Sequence, residues 1–118
     1  PDILDLGINS EIIDLRLLNP IDFSLIIDSV KKTRRLVVVD GDWSSCGLAS
    51  EIIASVLENL SPETLVSRPK RVTLVDTPAP TSKILEDDYY ISCKDIIEAI
   101  KDIYWKEYLI FAFRFLGW

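Results

Sequence analysis

Leu36–Ile53 reads L-V-V-V-D-G-D-W-S-S-C-G-L-A-S-E-I-I. Four apolar residues, Leu36 to Val39, run without a polar break. Such a run fits a strand buried on both faces, as in a parallel sheet. Asp40-Gly41-Asp42 then reads as an acidic turn, followed by Trp43, a Ser-Ser-Cys-Gly segment and the start of a helix. Leu48, Ile52 and Val56 fall on one line of that helix, with Ala49, Ile53 and Leu57 beside them, and Ser61-Pro62 stops it near Leu60. A strand feeding a helix across a tight loop is the unit of α/β architecture.

The same pattern extends outward. Upstream, Ser10–Leu18 is expected as a largely apolar strand, broken by Asn19-Pro20. Asp22 is the expected N-cap of a helix whose apolar face is Phe23, Ile26, Ile27 and Val30. Lys31, Lys32, Arg34 and Arg35 crowd its end, where cations complement the helix dipole. Downstream, Arg71–Asp76 reads as a third strand, and Asp76-Thr77-Pro78-Ala79-Pro80 as a rigid loop because two prolines fix φ. After a long loop, Ser92-Cys93-Lys94-Asp95 is a capping-box variant opening a last helix with an apolar face of Ile96, Ile97, Ile100 and Tyr104. Strand, helix, strand, helix, strand, loop and helix predict a three-layer α/β/α fold with a mostly parallel sheet.

Composition narrows the chemistry. The 118-residue chain carries a net charge of −6 and no basic patch, which argues against nucleic-acid binding. It has no histidine, so neither a Ser-His-Asp nor a Cys-His constellation can be assembled from it alone. Cys46 and Cys93 lack C-x-x-C spacing and read as two reduced thiols. With no methionine, the chain is expected to be processed or part of something longer, and Pro1–Gly7 reads as the last turns of a helix closed by glycine. The end, Ile103–Trp118, holds two of the three tryptophans and three of the four phenylalanines. With Lys106, Glu107 and Arg114 inside, it is too short and charged to span a membrane. Burial against the domain or another chain, a membrane-surface helix and a poorly ordered end all stay open for it.

Four candidate chemistries compete with plainer readings. Asp40-Gly41-Asp42 with Asn59 invites a magnesium site for thiamine diphosphate, but that cofactor's motif is G-D-G followed much later by asparagine. Gly41 and Gly47 do not form a phosphate-binding glycine motif, and turn geometry is the simpler role. Cys46 sits at a helix start, yet no histidine is available to activate it. Glu86-Asp87-Asp88 reads as a solvated loop or a patch for a basic partner rather than a calcium site. Trp43 reads as a cover over the sheet end.

Taken together, four segments carry a family resemblance. Glu11–Asp22 (E-I-I-D-L-R-L-L-N-P-I-D), Leu36–Ile53, Val72–Pro80 (V-T-L-V-D-T-P-A-P) and Lys83–Ile100 (K-I-L-E-D-D-Y-Y-I-S-C-K-D-I-I-E-A-I) occur in the order found in the C-terminal domain of the transketolase family. Within it they are most similar to the beta subunits of thiamine-diphosphate-dependent 2-oxo acid dehydrogenases such as pyruvate dehydrogenase. Asp42 departs from the family's G-G-W turn, Ala49 from a family glycine, and Ile91-Ser92 lacks the expected proline. The resemblance implies a domain over residues 1–103 lacking the family's first strand and helix, and an extra aromatic tail over 104–118.

It further implies a non-catalytic assembly domain. Asp40, Gly41, Trp43, Gly47 and Glu51 would shape the loop and helix facing neighbouring domains, and Asp76, Pro78, Pro80 and Glu86 would order the next loop. No catalytic, cofactor-binding or metal-binding residue is expected in this chain, because thiamine diphosphate and magnesium belong to other domains of the parent enzyme. The implied partners are an alpha subunit, a second beta subunit and the acyltransferase core, in an oligomer of the cytoplasm or an organelle matrix. The alternatives are a free-standing α/β interaction module and the corresponding domain of transketolase or deoxyxylulose-phosphate synthase.

Overall fold

A computed structural model describes the backbone of residues 7–16 and 20–115, and the side chains of these as far as Tyr104. In chain order the elements are α1 (Phe23–Thr33), β1 (Val37–Trp43), α2 (Leu48–Glu58), β2 (Lys70–Leu74), α3 (Lys83–Tyr89) and α4 (Cys93–Phe115). The strands β1 and β2 are parallel, with Val37, Val38 and Val39 opposite Lys70, Arg71 and Val72.

The two faces of this small sheet are covered by different helices, giving three layers. Val38 packs with Ile26 and Val30 of α1 and with Ala49, Ile52 and Val56 of α2. Val56 is completely buried. Removing such a side chain from water contributes about 1.5–3 kcal/mol. Val72 and Leu74 point the other way and are buried, as are Ala99 and Ile103 of α4, which lies chiefly over β2. Lys70 also pairs with Asp102 of α4 at 3.8 Å.

The predicted face of α1 is observed: Ile26 and Val30 are buried, while Phe23 and Ile27 pack beside them. The Asp22 carboxylate accepts from the Leu25 N–H as an N-cap should. At the other end the basic run does more than complement a dipole. Arg34 closes the helix with φ 62°, its N–H donating to the Val30 carbonyl at 2.7 Å. Its guanidinium donates to the carbonyls of Thr64 and Glu63, both at 3.1 Å, which offsets the left-handed backbone. Lys32 pairs with Glu11, and Arg35 lies 4.9 Å from the centroid of the Tyr104 ring.

Five expectations are corrected. First, residues 10–16 of the predicted Ser10–Leu18 strand are not in a ladder; 17 and 18 lie outside the described residues. The segment keeps a strand's alternation, with Ile13 and Leu15 on the core and Ile12 87% exposed. A strand also needs a neighbour to pair its backbone groups, and β1 and β2 pair only with each other among the described residues. Second, Asp40-Gly41-Asp42 is no turn: β1 continues through it to Trp43, and an irregularity between Val39 and Trp43 absorbs the change. Third, β2 ends at Leu74, so Val75 and Asp76 already belong to the following loop. Fourth, that loop contains α3. Fifth, α2 ends at Glu58, with Asn59 as its cap.

The Ser92–Asp95 box forms as read: the Ser92 N–H donates to the Asp95 carboxylate at 2.8 Å, and the Asp95 N–H to Ser92 Oγ at 3.4 Å. The buried line of α4 centres on Ala99 and Ile103, with the expected Ile96, Ile97 and Ile100 half-buried beside it, while Tyr104 is 42% exposed. Gly7 has φ 71°, the conformation expected of a closing glycine; the helix read over residues 1–6 lies outside the described residues. The helical backbone of α4 continues through 105–115, but the readings of the aromatic tail concern side chains outside those described.

Candidate functional site

The carboxyl ends of β1 and β2 bring together most of the residues singled out above. Their loops are stitched by two aspartates. The Asp40 carboxylate accepts from the Ala49 N–H at 3.0 Å, capping α2 from nine residues upstream. Its own N-cap position, Gly47, has no side chain to do this. Gly47 is indispensable for a second reason: a Cβ there would sit 2.2 Å from the Trp43 carbonyl oxygen. The chain can reverse under β1 only if that position is bare.

The Asp76 carboxylate accepts from the Ser45 N–H at 3.0 Å and, through its second oxygen, from the Ser45 hydroxyl. These Ser45 bonds, hydroxyl first, hold the Asp76 carboxyl below its usual range, with a smaller contribution from the Arg71 charge. Arg71 itself donates to the Ser44 carbonyl at 2.7 Å and to Ser50 Oγ at 2.6 Å. The β1–α2 loop is therefore clamped from both strands. Cys46 at its tip has φ 59° and an exposed thiol; Cys93 is also free and exposed.

Beside this clamp lies an aromatic and apolar surface. The Trp43 indole N–H donates to Tyr89 Oη at 3.2 Å, and the Tyr89 hydroxyl donates to the Thr77 carbonyl at 2.8 Å. That chain fixes α3 against the end of β1. Tyr90 meets Tyr89 edge-on with centroids 5.1 Å apart. Val75, Pro78, Pro80, Leu85, Asp88 and Tyr89 line a shallow groove. Trp43 is 44% exposed, Val75 59% and Leu85 56%.

Thus Asp40, Gly41, Trp43, Gly47, Asp76, Pro78 and Pro80 do cluster at one end of the sheet. Glu86 joins through α3, accepting the Tyr90 N–H at its carbonyl. Glu51 stands apart in the first turn of α2, where its charge suits the helix dipole. Sequence reading missed Ser45, Arg71, Val75, Leu85 and Tyr89. The Tyr89-Tyr90 pair was a visible signal; the others act through contacts that no local pattern announces.

The Asp40–Asn59 metal reading can be tested by placement. Asp40 reaches the first turn of α2, whereas Asn59 caps its far end, donating to the Ser55 carbonyl at 2.7 Å. An 11-residue helix separates them by roughly 15 Å. They cannot share a cation. Among the described residues no group of three acidic or cysteine side chains is arranged to hold a metal ion, and no helix is long and apolar enough to cross a membrane.

Residues 2–96 match the family described as transketolase, C-terminal domain. Among curated proteins, the chain is similar to "Pyruvate dehydrogenase E1 component subunit beta, mitochondrial" from Bos taurus, 44% identical over 95 residues. The protein of the same name from Homo sapiens is 42% identical over 95 residues. Each match covers 80% of this chain and 26% of the relative. The Saccharomyces cerevisiae protein of that name is 37% identical over 97 residues, 82% of this chain and 26% of its own. The chain thus spans about a quarter of the length of the curated relatives it matches.

Proposed function

This chain belongs to the transketolase C-terminal domain family, and from that premise we propose that it is a non-catalytic assembly domain of a pyruvate dehydrogenase-type beta subunit. The domain spans residues 1–103, with 104–118 as an appended tail. One observation carries the reading: at the carboxyl end of the sheet the carboxylates of Asp40 and Asp76 turn inward to hold the loop, while Trp43, Val75 and Leu85 turn outward. Acids tied to backbone N–H groups order a loop. Apolar side chains left in water are a surface for another protein.

The parent enzyme would decarboxylate a 2-oxo acid on thiamine diphosphate and pass the acyl group to lipoamide. The cofactor and its magnesium would sit in other domains of that enzyme, as the family resemblance implies. Partners would be the alpha subunit, a second beta subunit and the acyltransferase core. The mitochondrial relatives support a matrix location if the source is eukaryotic.

Calorimetric titration of the chain with thiamine diphosphate and magnesium should give no saturable heat, and the chain should co-purify with a pyruvate dehydrogenase alpha subunit. Saturable cofactor binding, or no association with the alpha subunit, would overturn the reading.

A further inference from the structure

The strand β2 has 5 residues and spans about 16 Å, whereas α4 has 23 and runs for about 34 Å. As far as Tyr104 the helix already matches the strand in length, and Asp102 pairs with Lys70, the first residue of β2. Residues 105–115 carry the helix about 16 Å further. On the domain, Ile96, Ala99, Ile100 and Ile103 form the line on the sheet, while Lys94 and Glu98 are exposed opposite, with Lys101 on their line. Past Ile103 the two lines exchange character. Lys106, Glu107, Ile110 and Arg114 continue the sheet-side line, at i+3, i+4, i+7 and i+11 from Ile103. Trp105, Tyr108, Leu109 and Ala112 continue the Lys101 line, flanked in register by Phe111, Phe113 and Phe115.

One helix whose apolar line changes sides cannot bury both lines against one sheet. The new apolar arc is also broad. A partner helix covers a narrow seam, but in 105–115 charge is confined to the line of Lys106, Glu107 and Arg114. A lipid surface takes the whole apolar side of a helix lying in it. Trp105, Tyr108, Phe111, Phe113 and Phe115 are aromatic, and rings of this kind favour the membrane–water boundary. On the charged line Lys106 and Arg114 outnumber Glu107, which suits lipid phosphates. The extension is much shorter than the roughly 30 Å of a bilayer's hydrocarbon core, which excludes a span and leaves the surface. We propose that residues 105–115 form an interfacial helix lying in the surface of a phospholipid bilayer, with the Trp105 and Leu109 line on the hydrocarbon side and Lys106 and Arg114 among the headgroups. This goes beyond the assembly reading and does not depend on it.

The test uses the full chain and phosphatidylcholine vesicles. The chain should co-sediment with the vesicles, and brominated phosphatidylcholine should quench its tryptophan emission. Leu109→Lys with Phe113→Lys, which puts charges into the apolar arc, should weaken co-sedimentation at least about tenfold. Ile110→Lys, on the charged line, should leave it within about twofold. Both variants should keep the urea midpoint of the parent chain, since these positions lie past the part of α4 that packs on β2. Absence of co-sedimentation or of quenching, equal loss in the two variants, or no loss in either would overturn the proposal. So would a vesicle-free dimer, seen by analytical ultracentrifugation, that the Leu109 and Phe113 changes dissolve, because a second copy would then occupy the arc.

Discussion

Val39 and Val72 are partners in the same parallel ladder, on adjacent strands and facing the same side of the sheet. Val72 is 8% exposed and Val39 47%. The difference is the cover: α4 lies chiefly over β2 and leaves Val39 of β1 in water, with Val37 half-buried. On the other face the asymmetry runs the opposite way: α1 and α2 close over Val38, while its partner Arg71 on β2 is exposed. The contrast separates residues that hold this domain together from those left in water.

The sharpest way to break the comparison is to put the same charge at both positions. Val72→Asp should cost about 3–5 kcal/mol, because it leaves an unpaired charge under α4. Urea unfolding followed by circular dichroism would read it, and a loss below about 1 kcal/mol would remove α4 as the cover. Next in size is the loop that joins covered and bare regions. Gly47→Ala must push the Trp43 carbonyl away, with an overpacking cost of about 1–3 kcal/mol; thermal melting would detect it.

Asp40→Ala removes the remote cap on α2 and should cost about 1 kcal/mol, visible as a lower urea midpoint with an unchanged slope. Acid probes the companion clamp. The Asp76 carboxyl is held below its usual range by Ser45, so the folded state binds its proton less readily than the unfolded chain. Its stabilisation is therefore complete above the ordinary aspartate value near 3.8 and is lost as pH falls through the folded value. Ser45→Ala should flatten the acid limb of a stability-against-pH curve; an unaltered limb would show that the clamp contributes nothing. Smallest of all, Val39→Asp should change stability by no more than about 0.5 kcal/mol, the range for surface sites. A cost matching that of Val72→Asp would erase the distinction.

Much of this was legible. The α1 stripe, the Asp22 cap, the Ser92–Asp95 box and the β1–α2 unit follow patterns complete within a few residues, and each is observed. Seven of the nine marked residues, from Asp40 to Pro80, meet at one sheet end because loops after parallel strands share that end. The centre of the α4 face was not legible: Ala99 is a weak apolar signal by composition, and only the position of β2 makes it the centre of contact. Nor was α3, a 7-residue helix in which Lys83, Glu86, Asp87 and Asp88 are charged and whose anchor, Tyr89, reaches Trp43 across 46 positions.

The amino-acid order by itself determined α1, the succession of β1 and α2, and the Asp22 and Ser92–Asp95 caps, since periodicity and capping act between residues close along the chain. Tertiary structure alone decided that residues 10–16 alternate like a strand without pairing, that Asp40 caps a helix it does not adjoin, and which of two paired valines is dry. Each of those outcomes depends on what arrives from a distant part of the chain, and a backbone group or a methyl is satisfied or buried only by a neighbour that is actually there.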